Sequence, residues 1–351
     1  PLAPAIITVT GDCELVEAIR AANSDATNGG CPPGSGADTI VLTEDVELNA
    51  VEDVDDDGGL PTVTSEITIE GEGFSISRSP AALADFRIGT VAATGKLTLR
   101  NTTVSNGDIA GAAGAFVNDG ELRIEHSALL DHSATSAGGA ILNTGTLVIS
   151  YSTLASNTVA SSSGFLTAGG AIYNQGDLEV DHTTFSGNVA YHDSVVFGGA
   201  LVNLAGYSAV IVDSTLSNNT AQAPLGISGG VAYGGAIANF GGLTLTNTTI
   251  SDNAVSGMDT YGTLFTNSGG VLTNVTFSGN GDSALYSFNA TPVVVTSTIL
   301  ANSSGPNCGG AVVIDDVNSV ADDASCGSTP NGLTYFAPTL RDNGGPTETT
   351  A

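Results

Sequence analysis

Tryptophan is absent from the 351 residues, methionine occurs once, and lysine and arginine together number seven. The scarcity of cations excludes a nucleic-acid partner, because phosphate binding draws its affinity from Lys and Arg. Acidic residues number 36, so the formal net charge is −29. Such a surface suits solubility, cation binding or a high-salt exterior. No apolar run is long enough for a transmembrane helix. Beyond residue 24 no stretch has a helical stripe, which excludes helical repeats. The missing Trp excludes the Trp-Asp signature of propeller blades. The chain begins at Pro1 without Met or a signal-like apolar stretch, as a mature or trimmed product would.

What the sequence does contain is repetition. GGAILNTGTLVISYSTLASN starts at Gly138, GGAIYNQGDLEVDHTTFSGN at Gly169, GGALVNLAGYSAVIVDSTLSNN at Gly198 and GGAIANFGGLTLTNTTISDN at Gly234. One asparagine column runs Asn118, Asn143, Asn174, Asn203 and Asn239. A second runs Asn157, Asn188, Asn219, Asn253 and Asn280, with Asn106, His132 and Asn302 read as its outer members. Repeats of this length mean a solenoid, propeller or array. The short alternating runs rich in Val, Ile and Thr argue for strands. The expected fold is all-β, a right-handed parallel β-helix of about ten coils with a short N-terminal capping helix. Its rod length is roughly 45–50 Å at the usual strand spacing. Ile141, Leu147, Ile149, Ile172, Leu178 and Val180 point inward. The asparagines form ladders on the outside or at the corners. The insertions at 161–168 and 221–233 follow the same Asn and are expected at one corner, where binding often happens.

Cys13, Cys31, Cys308 and Cys326 form one pair near each end, and each pair is separated by 18 residues. Without a CxxC or a nearby His, they read as two disulfides, Cys13–Cys31 and Cys308–Cys326, in an oxidising exterior. The one helical pattern, CELVEAIRAANSD (13–25), has Asp12 as its expected N-cap. The chain divides into an N-terminal cap (1–36), a β-helix (37–300) and a closing segment (301–351).

CELVEAIRAAN with Cys31 and GSGADTIVL (34–42) resembles the CSLREA motif of bacterial surface proteins. It keeps Cys13, Leu15, Glu17, Ala18, Ile19, Ala21, Ala22 and Asn23 and departs at Glu14 and Val16. APTLRDNGGPTETTA (337–351) resembles the segment that closes the β-helix in choice-of-anchor surface proteins. The resemblance implies a parallel β-helix at the cell surface and names no activity.

A catalytic reading finds little support. The Gly-His-Gly and Arg-x-Lys of a polygalacturonase-like hydrolase are absent. Asp315-Asp316 and Asp322-Asp323 have no basic neighbour, and Lys96 is the only lysine. Arg78, Arg87, Arg100 and Arg123 fall on early coils, with Arg100 and Arg123 expected on different sides of their strands. His126 and His182 share a column with Tyr151 between them and read as solvent-facing residues. His132 replaces a ladder Asn, and His192 is assigned to an insertion.

Asp53, Asp55 and Asp57, followed by Gly58, have the spacing of a calcium loop and are the candidate metal ligands, although position twelve is Thr64 where an EF-hand has Glu. Asn101, Asn218, Asn247, Asn274, Asn289 and Asn302 head glycosylation sequons.

The function expected from these readings is that of a secreted or cell-surface structural β-helix: a spacer, adhesin or self-assembling fibre subunit. It performs no catalysis and requires no cofactor, calcium being the one candidate. Its partners are copies of itself, head to tail through Ile6–Val9, or a surface polysaccharide. The alternatives are a polysaccharide lyase or hydrolase and a carbohydrate-binding β-helix. An aromatic platform would favour the last, but the 19 Phe and Tyr residues are scattered along the chain.

Overall fold

The computed structural model describes residues 3–162, 167–225, 229–289, 291–310, 314–317 and 319–326. The C-terminal segment that resembles choice-of-anchor proteins lies outside them. The fold is a parallel β-solenoid. Three long sheets run its length: twelve strands from Ile6–Thr8 to Ile314–Val317, eleven from Val46–Leu48 to Val320–Ala321, and nine from Gly89–Val91 to Cys308–Gly310. Nine turns contribute a strand to all three sheets among the described residues. The eleven intervals of the first sheet, at about 4.8 Å each, give a length of about 53 Å.

Alternation places the core. In Thr146–Ser150, Leu147 and Ile149 are buried while Thr146, Val148 and Ser150 face outward. The coils are in register, so Ile124, Ile149, Val180, Ile211 and Leu245 stack as one apolar column. A single coil cannot bury this face, but a stack can. The repeated Gly-Gly has two separate uses. Gly169 adopts φ +71°, and a Cβ on Gly170 would collide with the Gly199 carbonyl of the next coil.

Two smaller sheets form an arm at one corner. Six strands run from Asp108–Ile109 to Ala254–Ser256, and four from Thr167–Ala168 to Asp259–Tyr261. The insertions connect these two sheets, at the single corner expected. The arm has its own apolar cluster, which includes Val159, Ala190, Val196 and Ala221.

The helix α1 spans Leu15–Ser24 and buries Leu15, Ala18, Ile19, Ala21 and Ala22. Its N-cap is Glu14, without a side-chain cap bond, and not Asp12. The Asn23 side chain ties α1 to the first coil, donating to the Thr62 carbonyl at 2.8 Å and accepting from the Thr64 amide at 2.9 Å. Both expected disulfides are formed, Cys13–Cys31 and Cys308–Cys326. The run Ile6–Thr8 pairs with Thr39–Val41 of its own chain as the outermost strand of the first sheet.

Three buried ladders connect the coils. Asn118, Asn143, Asn174 and Asn203 each donate Nδ2–H to the next Asn Oδ1 at 2.7–2.9 Å, ending at Asn239. In the second, Asn157 donates to Asn188, Asn188 to Asn219, Asn219 to Asn253 and Asn253 to Asn280, at 2.9–3.2 Å. The third went unread in the sequence: the amides of Thr102, Ser127 and Thr183 donate to Ser127, Ser152 and Ser214 Oγ one coil on.

The asparagines are not outside. All ten are buried, because their amides satisfy backbone carbonyls inside the corners as well as each other. Asn106 and Asn302 are not members of the second ladder. Register places them one residue earlier, in an exposed column that also holds Asp131, Ser156 and Asn218. The first ladder begins at Asn118, whose Oδ1 has no partner because Val91 occupies the preceding coil.

His132 belongs to the second ladder. Its Nδ1 accepts from the Gly107 amide at 3.1 Å and its Nε2 lies 3.1 Å from the Val104 carbonyl, so the ring is the neutral Nε2–H tautomer. Burial pulls its pKa down to about 3, against the Val104 hydrogen bond. A histidine that is neutral when folded and protonated when unfolded contributes stability fully present above its unfolded value of 6.5. That contribution is lost as pH falls toward 3. Lowering the pH from 6.5 to 4.5 should therefore cost about 2 kcal/mol through this residue. In His132→Asn, which continues the ladder, that part of the pH dependence should vanish, as measured by denaturant unfolding at both pH values.

Candidate functional site

The aromatic residues, scattered in sequence, are gathered in space. Outward-facing positions of the third sheet place Tyr173, Val202, Ala238, Phe265 and Tyr286 in one column. The last strands of the arm stack Phe197 on Tyr233 and Tyr233 on Tyr261, with centroids 4.8 and 4.7 Å apart. Phe240 meets Phe197 edge to face at 5.4 Å. Together these residues line a trough along the solenoid. The reading that the aromatics are scattered is thereby corrected: positions 21 to 36 residues apart become neighbours when coils stack.

A second exposed column lies between the first and second sheets. Asn101, His126, Tyr151, His182, Asp213, Asn247 and Asn274 all adopt φ between 46° and 55°. The rings stack, His126 on Tyr151 at 4.9 Å and Tyr151 on His182 at 4.6 Å. His182 Nδ1 lies 2.6 Å from Asp181 Oδ1, and its Nε2 is 4.0 Å from Asp213 Oδ2. Asp181, His182 and Asp213 are the one group with metal-ligand proximity among the described residues. The sequence placed Asp213 in the column of His126 and His182 but gave no sign that Asp181 and Asp213 converge on His182.

The Asp53–Gly58 loop closes by a different route. Asp53 Oδ2 accepts from the Thr62 amide at 3.1 Å and lies 2.7 Å from the Thr62 hydroxyl, which also reaches Asp56 Oδ2 at 3.0 Å. Burial opposes ionisation of Asp53, and the Thr62, Asp55 and Asp56 hydrogen bonds outweigh it, so its pKa falls below the ordinary value. Arg87 lies against the loop, its amide donating to the Asp57 carbonyl at 3.1 Å. Burial lowers the Arg87 pKa, and the charges of Asp56 and Asp57 oppose that. The guanidinium itself donates to the Ala112 carbonyl at 3.3 Å, and Asp56 and Asp57 act on it only as nearby charges. Asp53, Asp55 and Asp57 are not gathered into a metal-ligand group.

Arg100 and Arg123 both face outward on the first sheet, at alternate positions of neighbouring strands, and not on different sides. Arg100 pairs with Glu125 at 2.6 Å and Glu70 at 3.1 Å, and Arg123 pairs with Glu121 at 2.7 Å. Lys96 also reaches Glu121, at 3.4 Å, and Arg78 reaches Asp85 at 3.1 Å. His192 ends the strand Val189–His192 and is buried, so it belongs to no insertion. Asp322 and Asp323 accept from Asn302 and Asn307, a structural use. Asp315 and Asp316 lie in the strand Ile314–Val317. All six sequon asparagines are exposed, and Asn274 donates to Asn247 at 3.0 Å.

No family model, curated protein or solved structure matches this chain at a significant level. The family expectation therefore stands on the residues of the two ends alone. No helix among the described residues is long and apolar enough to cross a membrane.

If the Thr62 and Arg87 contacts close the Asp53–Gly58 loop, calcium should add nothing to it. Calorimetric titration with calcium is expected to give the same heat for the parent and for Asp55→Asn. A heat present only in the parent would instead support calcium binding at Asp53, Asp55 and Asp57.

Proposed function

We propose that this chain is a non-catalytic structural rod of the extracellular space, a spacer or displayed scaffold. The observation that carries the reading is the continuity of the interior. Three sheets and three hydrogen-bonded ladders run from coil to coil. The outward arginines of the first sheet are committed to glutamates of the same sheet and are not turned toward a substrate. Both disulfides support an oxidising exterior. The family resemblance of the two ends fits a surface location.

Self-association is the second element of this reading. The run Ile6–Thr8 is engaged within its own chain, which supports a capped monomer over strand addition to a neighbour. Its outer edge remains the terminal edge of the first sheet, the kind of surface that proteins cover or charge.

Electron microscopy of the purified chain should show short rods, and light scattering should give one particle mass across concentration. Growth into continuous fibres would replace the lone spacer with a fibre subunit. The non-catalytic reading is tested separately, by assaying new reducing ends on neutral and acidic polysaccharides. Turnover that disappears in His182→Ala would sink it.

A further inference from the structure

On the outer face of the third sheet, Val202, Ala238 and Phe265 form a small buried apolar cluster, and the half-buried rings of Tyr173, Phe197, Tyr233 and Phe240 pack over it and face outward. Beside Tyr173 the column continues with the shorter side chain of Val202, between the rings of Phe197 and Phe240. A depression of about 370 Å³ opens there, with Tyr173, Phe197 and Phe240 in its lining. Tyr173, half-buried against the cluster, lines the depression and is not paired with another aromatic ring among the described residues. A second depression shares Phe197 and Phe240 with the first and reaches Phe288, which is 57% exposed. From Tyr173 to Tyr286 the trough covers four coil spacings, about 19 Å.

We propose that this trough binds a neutral polysaccharide chain lying along the solenoid axis, with one sugar ring seated over Val202 against Tyr173. Pyranose rings present an apolar C–H face to an aromatic ring and hydroxyls at their rim. A Tyr contributes both an apolar body and a polar tip. Asp259 and Asp282, charged neighbours of the tyrosines at the far end, can accept hydrogen bonds from sugar hydroxyls.

Charge excludes the other occupants. No Lys or Arg occurs between residues 124 and 326, so an acidic glycan, nucleic acid or anionic membrane meets no counter-charge. Two copies facing each other across the trough would each carry a net charge of −29. The trough is long and open, which suits a polymer better than a small apolar molecule that needs a concave pocket. This inference does not rest on the structural-rod reading, and the rod keeps that role whether or not the trough is filled.

The test is native gel electrophoresis through hydroxyethyl cellulose, laminarin, xylan and glucomannan, with carboxymethyl cellulose and polygalacturonate as charged controls. At least one neutral polymer should retard the parent. Its hexasaccharide should perturb tyrosine emission, which is readable because the chain has no Trp. Tyr173→Ala should weaken binding about tenfold, and Val202→Phe, which fills the depression, should abolish it. Thermal unfolding establishes that each variant is folded; if Val202→Phe is not, Tyr173→Ala decides alone. Retardation by no neutral polymer, or equal retardation of parent and variants, overturns the proposal. So does stronger retardation by polygalacturonate. A parent dimer dissolved by Tyr173→Ala would make a second copy the occupant and overturn it as well.

Discussion

Everything in this molecule depends on satisfying buried polar groups at the corners of a stack. A coil that turns through a corner brings backbone carbonyls and amides inside, and leaving one unpaired costs about 1–3 kcal/mol. Asparagine suits the position because its amide both donates and accepts. Asn143 shows the full use: it accepts from Asn118, donates to Asn174 and reaches the Asp177 carbonyl at 3.2 Å. Once that geometry repeats, each coil must sit in register with the next. The apolar columns, the Gly-Gly approach and the ring stacks all follow from that register.

Register also explains how the chain carries so much charge. With the interior closed largely by neutral amides and apolar side chains, most acidic and basic residues lie on outward columns, Asp38 of the first sheet being a buried exception. Two of the few cations pair between neighbouring strands: Arg100 bridges Glu70 and Glu125 from adjacent coils, and Lys96 reaches Glu121. Exposed ion pairs of this kind contribute little to stability. They space like charges along the sheet, and the remaining carboxylates keep rods apart in solution.

The corners differ in what they tolerate. The inner corners repeat strictly, whereas the corner carrying the arm accepts loops of changing length, because the two arm sheets close over their own small core. That separation lets the trough vary without disturbing the ladders. It also limits the arm, whose strands end at Tyr261 while the three long sheets continue. Tyr286 consequently meets Tyr261 edge to face instead of continuing the stack.

The repeats were enough to determine a β-solenoid, its inward aliphatic columns and the ten asparagines of its two ladders, and the cysteine spacing was enough for the two disulfides. Each of these depends on spacing along the chain and on the residue type at one position. What only the tertiary structure decided was depth and neighbourhood. The asparagines face inward because the corners bury carbonyls that need donors. Asn106 and Asn302 leave the ladder because alignment by residue type ignored a one-residue offset. The Asp53 loop meets Arg87, 34 positions away, through a strand contact that its local spacing could not reveal. The aromatic trough arises because stacking converts separations of 28 to 36 residues into distances near 4.8 Å, a proximity created by the fold and invisible to any local pattern.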